Sequence, residues 1–138
     1  MRMLCCPLLL AVVAMLGFGR LQGEPEKVLS IRDIMQEAHR GCNSNGHNYF
    51  RLINDQLTKV APDWAVAEQR SRDLVRMGKM LSQHTPPRGS LDSWRTFTDR
   101  YVAEAAITLE AVEQRDIAAA QKHLRLIANC RDCHVAHK

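Results

Sequence analysis

The chain has 138 residues, 46% of them apolar and 25% charged, with 19 Lys and Arg set against 15 Asp and Glu. That length holds one domain once a leader is set aside. The basic excess is small and no basic run is interleaved with aromatics, which argues against nucleic acid as a partner.

Arg2 precedes an apolar run over residues 3–18, and no acidic residue occurs before Glu24, the order of a secretory signal. Small residues fit cleavage after Gly19, with Gly17 three back from the bond, or after Gly23. The run is shorter than the roughly 20 apolar residues of a membrane span. The expected product is therefore residues 24–138, exported to the periplasm or beyond, with no stable membrane insertion. A cut after Gly23 removes Arg2 and Arg20, two of the 19 basic residues, leaving 17 against 15 acidic. Cys5 and Cys6 leave as well, so Cys42, Cys130 and Cys133 remain, an odd number for an oxidising compartment. Cys42 reads as a small buried or capping residue.

A first helix is expected over residues 30–41, with Ser30 as N-cap and Ile31, Met35 and Ala38 on one buried face. The Asn- and Gly-rich stretch 41–46 ends it, and a short helical piece follows over 49–60. Asp63 caps a second long helix with a stripe of Trp64, Ala67, Leu74, Met77 and Leu81, which Pro86-Pro87-Arg88-Gly89 stops. A third carries Trp94, Phe97, Tyr101, Ala105, Leu109 and Val112 at three- and four-residue steps. Asp116 caps a fourth, expected to run unbroken to the C-terminus. No segment alternates as a strand does. The expected fold is all-α, an antiparallel up-down four-helix bundle in which the start of the first helix lies beside the end of the fourth.

Within that fourth segment stands Cys130-Arg131-Asp132-Cys133-His134, the spelling of covalent c-type haem attachment. Two thiols three residues apart on a helical turn point to one side, so each adds to one vinyl group of a single porphyrin, and His134 places an imidazole under the iron. The rival readings are a structural disulfide, a thioredoxin-like redox pair, or zinc held by Cys130, Cys133, His134 and His137. Along one straight helix those four positions span about 10 Å, whereas zinc ligands converge within about 2.3 Å of the metal. A redox pair normally opens a helix after a strand, and no strand precedes this one. The expected cofactor is one haem c.

The antiparallel arrangement brings Met35 to the same end as His134, making Met35 the expected sixth iron ligand, with His39, one turn further on, as the alternative. An ordinary core methionine and a helix-terminal histidine touching carbonyls are the plain readings of those two residues. His84 and Arg88 fall at the same end, either meeting a haem propionate or solvated in the turn. His137 is expected to face solvent or a propionate, and His47 and His123 have no evident partner. No nucleophile with a base and no phosphate loop is present, so no enzymatic activity is expected.

These residues together resemble the class II cytochromes c, the cytochrome c prime family and its low-spin relatives. Cys130, Cys133 and His134 match the thioether pair and proximal ligand of that family, and Met35 in Ile31-Arg32-Asp33-Ile34-Met35 matches the methionine of its low-spin members. Pro86-Pro87-Arg88-Gly89 through Ser93-Trp94, and the ending Cys133-His134-Val135-Ala136-His137-Lys138, are similar to a secreted bacterial branch. The likeness covers residues 28–138, strongest at the C-terminal end and weakest over 43–61. It implies a periplasmic monohaem carrier passing single electrons between redox partner proteins. The alternative it leaves open is the high-spin behaviour, a five-coordinate iron that binds nitric oxide or carbon monoxide. Relatives of this kind often pair as homodimers, although no exposed stripe in the sequence demands it.

Overall fold

Side-chain caps set where the helices begin. Asp63 Oδ1 accepts from the Val66 amide at 3.1 Å, Ser90 Oγ from Ser93 at 3.2 Å and Asp116 Oδ1 from Ala119 at 2.9 Å, each satisfying an amide that the first helical turn leaves without a partner. Ser30 and Asn48 do the same for Asp33 and Arg51. In the computed structural model, which describes residues 28–40 and 48–138, the helices so begun are α1 (Ile31–Met35), α2 (Tyr49–Leu57), α3 (Trp64–Ser82), α4 (Leu91–Glu113) and α5 (Ile117–Ile127). A last short helix, α6 (Arg131–His137), starts at Cys130 with no side-chain cap. No strand occurs among the described residues, and the fold is all-α. The leader with its two cleavage points, and Cys42 and His47, lie outside the described residues.

The first helix does not stay α-helical to its end. From Gln36 to Arg40 it widens into a π turn. A turn with i to i+5 bonding holds more than four residues, so His39 remains on the side of Met35. The buried face also differs from the expected one: Ile34, 1% exposed, and Ala38 enter the core, while Ile31 and Met35 are half-buried beside it.

The fourth segment is divided rather than continuous. At its Ala128 C-cap α5 tightens, the Ala128 and Asn129 amides bonding the carbonyls three residues back, and Cys130 N–H turns to the Ala128 carbonyl at 2.8 Å. Asn and Cys are weak helix formers, so nothing local carries the helix across this point. The chain restarts as α6.

Packing follows the stripes of the long helices. α3 lies against both α2 and α4, α4 against α5, and α5 returns to α2, so these four enclose one core. Leu74, Met77 and Leu81 of α3 meet Ala105 and Val112 of α4 and Leu124 of α5 there. Gln121 closes the ring by donating to the Leu57 carbonyl at 3.1 Å. α1 and its π turn pack on α3 and α2, and α6 packs on α4. Between α4 and α5 the chain turns at Arg115, whose φ of 58° is left-handed. The Asp116 amide bonds Ala111 and the Arg115 amide bonds Val112, a Schellman closure with arginine where glycine is usual.

The described helices include none long and apolar enough to cross a membrane.

Candidate functional site

Cys130 occupies the joint between α5 and α6 in right-handed helical conformation, and its carbonyl accepts from the His134 amide at 3.0 Å. Cys133 and His134 thus fall in the turn that Cys130 starts. Both thiols are free and half-buried, and burial raises the pKa of each, Cys133 also through its neighbour Cys130, so both hold their protons at neutral pH. The His134 side chain is exposed and has no hydrogen-bond partner among the described residues. Partial burial, with the charges of Lys138 and Arg40, lowers its pKa and favours the neutral imidazole that ligates metals.

Two cavities adjoin this turn. The larger, about 560 Å³, is bounded by Ile31, His84, Trp94 and Lys138, among others; the smaller, about 60 Å³, by His39, Phe97, Tyr101 and Cys130. Met35, Cys133 and His134 line both. The larger volume falls in the range of cofactor sites, about 300 to 1,000 Å³. The site therefore unites one end of the first helix with the Cys-x-x-Cys-His turn, bringing together the thioether, the thiols and the imidazole singled out in the sequence.

His39 is also in the wall. Its Nε2 lies 3.0 Å from the Tyr101 hydroxyl, and its ring is edge-on to Tyr101 and tilted against Phe50, with centroids 5.7 and 5.8 Å away. The expected carbonyl contact is replaced by this tyrosine. Burial, and secondarily His134, lower the His39 pKa to about 4, and burial raises that of Tyr101, so both are neutral. Tyr101 itself depends on Gly78: a Cβ there would stand 2.7 Å from Tyr101 Cδ1. The sequence signal for Tyr101 was a hydroxyl inside an otherwise apolar stripe, since a buried phenol seeks a partner.

His137 overturns its sequence reading. It does not face solvent, being 3% exposed, although it still borders the larger cavity. Its Nδ1–H donates to the Arg88 carbonyl at 2.9 Å, Nε2 lies 3.1 Å from the Ser93 hydroxyl, and the ring stands edge-on to Trp94 and Phe97. Arg88 answers by donating from Nη2 to the Val135 carbonyl at 3.2 Å. The physical reason is the turn at Gly89, with φ at +82°, which offers carbonyls and a side-chain-free recess that a terminal imidazole fills. His84 is likewise not a solvated loop residue: its Nε2–H donates to the Leu29 carbonyl at 2.8 Å, tying the entry of α1 to the end of α3. His123 has a partner after all, with Nδ1 at 2.7 Å from Glu104 Oε2.

With His137 turned to the Gly89 side, the four-ligand zinc arrangement is not formed, and no group of three or more His, Cys, Asp or Glu side chains among the described residues is placed to hold a bare metal ion. Comparisons with protein-family models, with curated proteins and with solved structures return no match.

Proposed function

We propose that this chain is an exported monohaem c-type cytochrome that carries single electrons between redox partner proteins and transforms no substrate. The observation that carries the reading is that Met35, Cys133 and His134 together line the cavity of about 560 Å³, so that thioether, thiol and imidazole border one space of cofactor size. The mutual packing of α2, α3, α4 and α5 supports a four-helix bundle as the scaffold, with the short α2 (Tyr49–Leu57) taking the place expected for the first helix, which packs outside on α2 and α3.

The chain's residues fit a haem chemically. Cys130 and Cys133, whose thiols hold their protons, would hold the group covalently as thioethers. His134, a neutral imidazole with no hydrogen-bond partner among the described residues, and Met35, a thioether, would ligate its iron. When bound, haem supplies an iron that changes oxidation state by one electron, and a Met/His ligand pair raises its potential. His137 and Arg88 fix the C-terminal end of α6 and with it the direction of His134. Arg32, Arg40 and Lys138 border the larger cavity, which has no Asp or Glu among the described residues of its lining, and would provide a cationic rim for propionates.

Visible spectra of the chain matured in a host with the cytochrome c assembly machinery test this. A Soret band that resists extraction in acid and organic solvent, with a methionine-to-iron band lost in Met35→Ala, is the expected result. A colourless product ends the proposal.

The cavity of about 60 Å³ bounded by Met35 and His39 supports a second reading, storage or sensing of a diatomic gas, in which Met35 is wall and the iron five-coordinate. Tight, fast binding of carbon monoxide by the reduced protein favours it; weak or slow binding favours electron transfer.

A further inference from the structure

Met35 and His39 stand one turn apart on the same wall, both facing the small cavity beside His134. Either side chain is chemically able to take the position opposite that histidine. We infer that Tyr101 is the positioning residue that decides between them: by engaging His39 Nε2 it keeps this imidazole in the wall and leaves the sixth position to Met35. The inference rests on the haem reading given above.

Nε2 is the ring nitrogen further from the backbone, and so the one a helix-borne histidine extends toward a metal. The 3.0 Å bond to Tyr101 occupies it in either tautomer. If the phenol donates, the lone pair is used; if Nε2–H donates, there is no lone pair to offer. Phe50 and the Tyr101 ring hold the imidazole from two further directions. Tyr101 has little freedom to follow a departing His39, because its ring lies against the backbone of Gly78, 2.7 Å from where a Cβ would be, with Val102 packed beside the same point. Met35 has no such tether. Its side chain makes no hydrogen bond among the described residues and lines both cavities, whereas His39 lines only the smaller.

The test reads iron coordination in the haem-loaded full chain, by visible and electron paramagnetic resonance spectra of the oxidised form. Met35→Ala removes the favoured ligand while the Tyr101 bond remains, and is expected to give five-coordinate, high-spin iron. Met35→Ala/Tyr101→Phe keeps the ring and deletes only the hydroxyl. It is expected to shift the iron toward a six-coordinate bis-imidazole form, the ratio of six- to five-coordinate iron rising by about two- to tenfold for loss of one part-buried hydrogen bond. Adding His39→Gln returns the five-coordinate spectrum. Met35→Ala/Gly78→Ala disturbs the same bond without altering the tyrosine, by pressing a methyl on its ring, and is expected to follow the Tyr101→Phe pair. A bis-imidazole spectrum in Met35→Ala alone, or five-coordinate iron in both double variants, overturns the inference while leaving the cytochrome reading intact. Absence of a Soret band from the unmodified chain removes the reading beneath it.

Discussion

His137 Nδ1 lies 2.6 Å from the point at which any side chain on residue 89 would begin, so the terminal histidine occupies the room that Gly89 leaves free. The two residues make one joint: the turn supplies the recess and the Arg88 carbonyl, and the imidazole fills the first and bonds the second.

Replacing that glycine therefore strikes twice. Gly89→Ala puts an L residue at a φ of +82° and a methyl against His137, and the expected loss of stability is about 2 to 4 kcal/mol. Chemical denaturation reads it. His137→Ala breaks the same joint from the other side, so the double variant is expected to lose clearly less than the sum of the single losses.

Acid weakens the fold through His39. Its folded pKa, about 4, lies below the ordinary value of 6.5, so below pH 6.5 the unfolded chain takes up a proton that the buried ring refuses. Stability is accordingly full above about pH 6.5 and falls as pH drops toward 4, at about 1.4 kcal/mol per pH unit for one proton and on the order of 3 kcal/mol in all. His134 is shifted in the same direction, so the His39 share is isolated by comparison with His39→Gln in the haem-free chain. Equal pH slopes for the two proteins would show that His39 is not the titrating group.

Arg115 holds a left-handed conformation at an exposed helix end that its side chain does nothing to ease. Arg115→Gly is expected to raise the melting temperature, with a gain of up to about 1 kcal/mol, since glycine meets no Cβ penalty there.

Ser71 is fully buried in α3 and its hydroxyl has no hydrogen-bond partner among the described residues. Ser71→Ala removes an unsatisfied group and adds a better helix former at one stroke, an expected gain of about 1 kcal/mol in denaturant titration. The same substitution at Thr108, whose hydroxyl is bonded to the Glu104 carbonyl at 2.8 Å, is expected to destabilise.

What the sequence made legible was local. Ser30, Asp63 and Asp116 announce helix starts because a cap is a short-range device, and the stripe Leu74, Met77, Leu81 shows its period without any partner. The Cys-x-x-Cys-His run with Met35 is legible for a related reason, since the residue types carry the chemistry and chain order suggests which end they share. What stayed hidden depends on distant partners. The Ser93 and Arg88 contacts of His137, the Tyr101 contact of His39 and the Leu29 contact of His84 join residues between 44 and 62 positions apart, and no periodicity encodes them. The division at Ala128 to Cys130 was missed because apolar residues recur at helical spacing on both sides of it, while the break lies in weak helix formers and in the docking of α6 elsewhere.

That docking orders events in time. Seven residues whose N-cap, Cys130, makes no side-chain hydrogen bond have little helical stability in isolation, so α6 depends on His137 bonding the Arg88 carbonyl, 49 positions earlier in the chain. On the haem reading proposed above, the undocked segment is the form in which the Cys130 and Cys133 thiols, half-buried in the folded chain, would be most open to attachment.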